Sequence, residues 1–524
     1  MSHATSTQST TGTIASYAKK IAHAGRPDMD IELDDYNEGN GKVYTTFDAV
    51  TGRVNITTPH EAPFDQIQIS LVGSVFTFVG NLSPQSTRSR VCAKHNFLRL
   101  NMPIPESSYP QPRVAEAGKT YTFAFNFVIP SELLPRACSH ACSNDHVQAA
   151  HLQPPPSIGD LLPSLKDDLT PEMVRVEYAI EVKVIQNRER DGKEMVLANC
   201  SKKIRVRPAT PEAPPMNIAA GDEEYVLSKV KGLKKGMFSG KLGRITVSAA
   251  QPSALVIPSP SVSSEMTTQP TTTARVMLRF DPHDSSSPPP RLGGLTTKIK
   301  ATTFYATRAA TDFPARSAGQ LEFETNRGIY ETSVPLSARC VESVTWTAHK
   351  PSPAYTRRGS ASSTSSSDDY YSDSALSPAD CHSTGAEESK EFYTASILVP
   401  ITLPQSKSWI PTFHSCITSR VYCIALTLTI HTPGAGVSSS SVRLQLPVQI
   451  AADGNNGRRA SMTAEEAAAA ELEAQEEILE RRVRQESIVR SALGSEDCED
   501  GDVGEAPPGY DDFAPRRAIS VGRS

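Results

Sequence analysis

Cysteine and histidine crowd into one short stretch of this chain, as Cys138, His140, Cys142, His146 and His151. Thiolate and imidazole are donors that suit zinc. The C-x-H-x-C spacing matches none of the strong zinc patterns, and in an extended chain two ligands one residue apart point to opposite sides. The expectation is therefore a polar loop between strands, with no metal and no cofactor. Nucleotide and nucleophile chemistry is equally thin. Gly118-Lys119-Thr120 ends like a phosphate-binding loop, but Arg113 stands where its first glycine belongs, and the following residues read as a strand rather than a helix. G-x-S-x-G, H-E-x-x-H and G-x-G-x-x-G are all absent, so the chain reads as a protein that is not an enzyme.

Binding chemistry is better represented. Pro507, Pro508 and Tyr510 spell P-P-x-Y, the ligand that WW domains read. The prolines pre-set a polyproline II strand that loses little entropy on binding, and the tyrosine falls one turn on, on the same face. The motif lies between the acidic runs Glu496–Asp500 and Asp511-Asp512, in a tail too poor in apolar residues to fold. Three serines, Ser360, Ser461 and Ser520, each follow a pair of arginines in segments of similar composition, as basophilic kinase sites do. Lys229, Lys231, Lys234, Lys235, Lys241 and Arg244 form a basic run with no acid among them, suited to acidic lipid headgroups or acidic cargo tails. A charged linker between domains is the plainer reading of that run.

The elements that would position these groups are strands. At 524 residues, with 38% hydrophobic residues and 40 prolines, the chain suits two domains plus unfolded segments. A net charge of −5 and the lack of any nucleic-acid motif argue against nucleic acid as a partner. No apolar run reaches the length of a membrane span, and no export signal is recognisable, so the expectation is a cytoplasmic protein with reduced cysteines. Phe64–Val72 and Val174–Ile185 alternate apolar and polar residues, and Lys42–Phe47, Gly52–Thr57, Phe97–Ile104, Thr120–Ile129 and Glu194–Val206 complete a first set. A second set comprises Arg244–Ser248, Thr273–Phe280, Thr296–Thr307, Gln320–Glu324, Thr332–Val341, Phe392–Leu403, Val421–Ile430 and Val442–Ile450.

The predicted fold class is all-β, with two successive antiparallel β-sandwiches at 28–210 and 241–452. Residues 1–27 and the Ser-rich insertion 351–390 read as disordered, and 211–240 as the linker carrying the basic run. A helix over 462–494 opens with the capping pair Thr463 and Glu466, and the disordered tail covers 495–524.

Several segments carry a family resemblance. Gly52–Gly73 contains F-x-x-I-x-I-x-L-x-G; Phe127–Asp160 contains a proline-rich stretch ending H-L-Q-P-P-P-S-I-G-D; Lys241–Pro252 reads K-L-G-R-I-T-V-S-A-A-Q-P. In this order, and with the P-P-x-Y tail, the chain resembles the fungal α-arrestins, the arrestin-related trafficking adaptors. The resemblance covers roughly residues 28–452 and the tail motif. It implies arrestin-like N- and C-domains and an adaptor that brings a HECT-type ubiquitin ligase to plasma-membrane transporters or receptors, promoting their ubiquitylation and endocytosis. It also implies a peripheral location at the plasma membrane and endosomes. The same likeness admits a scaffold in ambient-pH or receptor signalling. The chain departs from the pattern in carrying one clear P-P-x-Y, where members often carry two or more, and in its Ser-rich insertion.

Overall fold

A computed structural model describes residues 27–34, 42–80, 90–159, 166–188, 193–218, 222, 224–235, 240–260, 269–316, 326–350, 391–432 and 439–454. The amino-terminal half supplies β1 (Asp28–Leu33), β2 (Val43–Tyr44), β3 (Ala49–Thr57), β4 (Ala62–Pro63), β5 (Gln66–Gly80), β6 (Arg90–Asn101), β7 (Val114–Ala115), β8 (Thr120–Val128), β9 (Val174–Asn187) and β10 (Glu194–Val206). One sheet runs β1-β3-β8 and its partner β2-β10-β9-β5-β6, with β4 and β7 as a separate pair. All of these pairings are antiparallel except β2 on β10.

Alternation decides the geometry. Val174, Val176, Tyr178, Ile180, Val182 and Val184 of β9 are all buried, while the residues between them are part-exposed over most of the strand. Ile67, Ile69 and Leu71 of β5 sit opposite Val184, Val182 and Ile180. Burying each such side chain is worth about 1.5–3 kcal/mol, and a one-residue slip in register would turn the whole set outward. Gly73 closes this run for a reason of space: a Cβ there would lie 2.4 Å from the Phe97 ring. Its absence lets Phe97 meet Tyr178 edge-on, with centroids 5.3 Å apart.

The second half supplies β11 (Ser228–Lys234), β12 (Lys241–Ala249), β13 (Leu255–Ile257), β14 (Thr271–Pro282), β15 (Arg291–Ala306), β16 (Arg327–Cys340), β17 (Thr347–His349), β18 (Phe392–Thr402), β19 (Phe413–His414), β20 (Thr418–His431), β21 (Ser440–Val448) and β22 (Ile450–Ala452). Its sheets run β11-β12-β14-β18-β17 and β16-β15-β20-β19, with β21 also on β20 and a parallel β13-β22 pair alongside. The all-β double sandwich expected from the sequence is therefore present. Gln320–Glu324, the insertion 351–390, the helix 462–494 and the tail 495–524 lie outside the described residues.

Two boundaries need correction. Ser228–Lys234 is not linker: it pairs antiparallel with β12 as the edge strand of the second sandwich, which begins there rather than at 241. Its only buried side chain is Leu233, so no alternation signals it. Likewise β6 starts at Arg90 and not at Phe97, because its first half, R-V-C-A-K-H-N, lies at a sheet edge and has no buried side chain.

The sandwiches share a seam, and both belong to one compact unit. Leu169, from the loop before β9, is buried in the second core, while Ile410, Phe413, Cys416 and Ile417 join the first. Between them lies Arg420 of β20, fully buried. Its Nε donates to Thr303 Oγ1 (2.8 Å), Nη1 to the Asp168 carbonyl (3.1 Å), and Nη2 to the Leu169 carbonyl (3.2 Å) and Thr170 Oγ1 (2.9 Å). Leu169 holds a positive φ of 61°, a conformation that costs a non-glycine residue about 1–2 kcal/mol and persists only where its surroundings enforce it. Lys407 adds an ion pair to Asp167 at 2.7 Å, whose hydrogen bond is the first cause holding the Asp167 carboxyl below its usual range. Arg420→Ala is expected to strip buried carbonyls of their donor and open a cavity, costing about 3 kcal/mol. Arg420→Lys should recover only part, since a compact ammonium cannot reproduce the guanidinium fork. Chemical denaturation checks this; an unchanged midpoint in Arg420→Ala contradicts it.

Candidate metal centre

The segment expected to be a plain polar loop is built around a bend. Its neck is closed by a hydrogen bond from the Leu133 amide to the Leu152 carbonyl (2.7 Å). Just inside the neck, a 3-10 turn at Pro135–Ala137 ends on Cys138, which is buried beneath it. The chain then reverses through Ser139–Ser143 into α1 (Asp145–His151), whose first turn is capped by Asn144 Oδ1 accepting from the Val147 amide at 3.0 Å. Val147 and His151, four residues apart, share the buried face of α1, and His146 is exposed.

This path brings Cys138, His140, Cys142 and His151 together, with one ligand atom from each within 4.8 Å of all the others. His146 takes no part. The sequence argument that C-x-H-x-C ligands diverge is corrected here, because it assumed extended backbone and the turn-and-helix path is not extended. The Sγ atoms of Cys138 and Cys142 lie 3.7 Å apart, Cys138 Sγ is 3.3 Å from His140 Nε2, and His151 Nδ1 is 3.7 and 3.8 Å from the two sulfurs. His140 Nδ1 lies 3.1 Å from the Ala141 carbonyl, a contact that fixes Nδ1 as the protonated nitrogen and leaves Nε2 its lone pair. Burial lowers the His151 pKa to about 4, so the ring is neutral. Burial, then the neighbouring Cys138, raises the Cys142 thiol to about 11.

The cluster sits on the seam. The Ser143 amide donates to the Thr311 carbonyl (2.8 Å), and the Cys416 thiol points at the Ala137 carbonyl (3.6 Å). Neither Cys416 nor Arg420 stood out in the sequence: each is a lone thiol or charge in the mixed stretch F-H-S-C-I-T-S-R. Downstream, Gly159 adopts φ 75° and its amide donates to Asp168 Oδ2 (2.8 Å), while Tyr178 hydroxyl donates to the Pro155 carbonyl (2.7 Å). The described part of the H-L-Q-P-P-P-S-I-G-D stretch, residues 151–159, thus starts in the cluster and ends in a contact with the Arg420 loop.

The basic residues are placed otherwise than as linker. Lys229 and Lys234 of the edge strand β11 and Lys241 and Arg244 of its neighbour β12 are exposed, with Lys234 directly opposite Lys241. Lys231 Nζ donates to the Ser441 carbonyl (2.9 Å), and Lys235 pairs with Asp284 (2.8 Å). Pro507, Pro508, Tyr510, Ser360, Ser461 and Ser520 lie outside the described residues. Among the described residues no helix is long and apolar enough to cross a membrane. No protein-family model matches the chain, and no curated protein matches it.

The seven described cysteines are free of disulfides. Cys92 and Cys340 are exposed, whereas burial raises Cys423 to about 12. The thiolate is the reacting form, so a thiol whose pKa is raised by burial reacts slowly. Timed alkylation with peptide mapping should therefore find Cys92 and Cys340 modified well before Cys423. Early modification of Cys423 in folded protein would contradict its placement.

Proposed function

We propose that this chain is a non-catalytic adaptor: its double sandwich docks on the cytosolic face of membrane transporters or receptors, and its tail recruits a HECT-type ubiquitin ligase through WW domains. The observation that carries the reading is the pairing, in one chain, of two interlocked β-sandwiches with a P-P-x-Y motif at Pro507–Tyr510. The segments that resemble α-arrestins also have coherent structural roles. Phe64, Ile67, Ile69, Leu71 and Gly73 form one inward face of β5 and its lead-in, and Lys241–Ala249 is the strand on which β11 and β14 pair.

Recognition by the tail follows from its chemistry. Pro508 supplies a fixed φ and an apolar face, Tyr510 supplies a ring and a hydroxyl, and Gly509 spaces them. So short a ligand buries far less than a standard interface, which points to a Kd in the micromolar range, with the apparent affinity raised in cells by several WW domains on one ligase. The exposed quartet Lys229, Lys234, Lys241 and Arg244 suits acidic headgroups, each worth about 1 kcal/mol near an anionic surface. Phosphate at Ser360, Ser461 or Ser520 would add charge beside paired arginines and regulate the adaptor. The site of action is the cytoplasmic face of the plasma membrane and endosomes.

Titrating a peptide spanning Glu505–Phe513 against isolated WW domains tests the ligase arm. Micromolar binding is expected, lost by at least tenfold in Tyr510→Ala, severely weakened in Pro508→Ala and kept in Gly509→Ser. A peptide that does not bind any WW domain of the host's HECT-type ligases would remove this function.

A further inference from the structure

We propose that Cys138, His140, Cys142 and His151 hold one structural zinc ion that pins the two sandwiches together. With Zn–S of about 2.3 Å and Zn–N of about 2.0–2.1 Å, a tetrahedral ion sets its sulfurs about 3.8 Å apart and each sulfur about 3.6 Å from each nitrogen. The sulfur pair here stands at 3.7 Å, and three sulfur–nitrogen edges measure 3.3, 3.7 and 3.8 Å. These four distances fit edges of a coordination tetrahedron, and all four ligand atoms lie within 4.8 Å of one another. A disulfide would draw the sulfurs to about 2.05 Å.

Charge and ligand type select the same ion. Two thiolates and two neutral imidazoles cancel the charge of a divalent cation, so the half-buried cage is left with no uncompensated charge. Binding needs no redox partner: each thiol gives up its proton to solvent as its sulfur takes the metal. Two sulfurs with two imidazoles suit zinc, whose filled d shell accepts a tetrahedron without preference, better than the harder oxygen-seeking cations. The His140 contact to the Ala141 carbonyl supplies the outer-shell orientation that ligating imidazoles commonly have. All four positions are filled by protein, the pattern of a structural rather than a catalytic centre.

The consequence lies at the seam. Zinc would fix the bend from Cys138 to His151, and with it the Ala137 carbonyl that faces the Cys416 thiol and the Ser143 amide that holds Thr311. An ion held by the first sandwich alone would thereby set contacts to the second.

The test is metal analysis of the full chain purified under reducing conditions without a chelator or a histidine tag. About one zinc per chain is expected, released on titration of the thiols with a mercurial reagent. Cys142→Ser and His151→Ala should lower zinc content at least tenfold, and His146→Ala should leave it unchanged. Should those variants not fold, the wild-type chain grown with cobalt in place of zinc must show the intense visible bands of a tetrahedral S2N2 site. Removing the metal should also lower Tm. A folded wild-type chain without stoichiometric metal overturns the proposal, as does one whose mass shows Cys138 and Cys142 joined by loss of two hydrogens. Zinc retained by a folded Cys142→Ser variant overturns it as well.

Discussion

A buried guanidinium that forms no ion pair among the described residues organises this molecule. Arg420 reaches from the second sandwich into the loop of the first and satisfies the Asp168 and Leu169 carbonyls and the Thr170 hydroxyl, while its Nε is taken by Thr303. A buried charge is costly unless its donors are used, and here the fork meets four neutral acceptors set at the right spacing. The loop is equally constrained. Asp168 folds it through hydrogen bonds from the Gly159 and Thr170 amides, and Leu169 takes a left-handed conformation in order to sit in the opposite core. Either half alone would leave a strained loop or an orphaned charge. The two sandwiches are therefore partners in one fold rather than neighbours on a string.

Around this contact the rest of the seam falls into place. Thr77 of β5 donates to the Ala306 carbonyl of β15 at 2.6 Å, fully buried, and the Cys–His bend meets Cys416 and Thr311. A body joined at so many points presents its outer faces in fixed relation, which lowers the entropy lost on docking to a large partner. For an adaptor this division of labour is reasonable. In the proposed adaptor the folded body would offer shape and the tail a short ligand, with avidity on a membrane surface offsetting the tail's modest affinity.

Much of this was legible in the sequence, and the failures have physical causes. Val174–Ile185 could be read directly, because a strand in contact with a core on one face must alternate. The second sandwich was legible for the same reason: the runs Thr273–Phe280 and Phe392–Leu403 are β14 and β18, though their pairing is seen only in the structure. The strand Ser228–Lys234 was not, since an edge strand with a single buried residue carries no period, and its lysines read as linker. Arg420 was hidden because it follows Thr418 and Ser419 just before the expected strand Val421–Ile430, where an arginine reads as exposed until the loop opposite it is known. The Cys–His cluster was visible as composition but misjudged as geometry. Ligand spacing rules apply to a given backbone path, and here a 3-10 turn and a capped helix replaced the extended path that was assumed.

The claim on which the functional account rests is that the tail, not the folded body, brings in the ligase. Quantitative proximity labelling in living cells, comparing the wild-type chain with Tyr510→Ala, tests it most directly. The account predicts that a HECT-type ligase and multi-span membrane proteins are both labelled by the wild type, and that the variant loses the ligase while keeping the membrane proteins. Ligase labelling that survives Tyr510→Ala, or that is missing from the wild type, would contradict it.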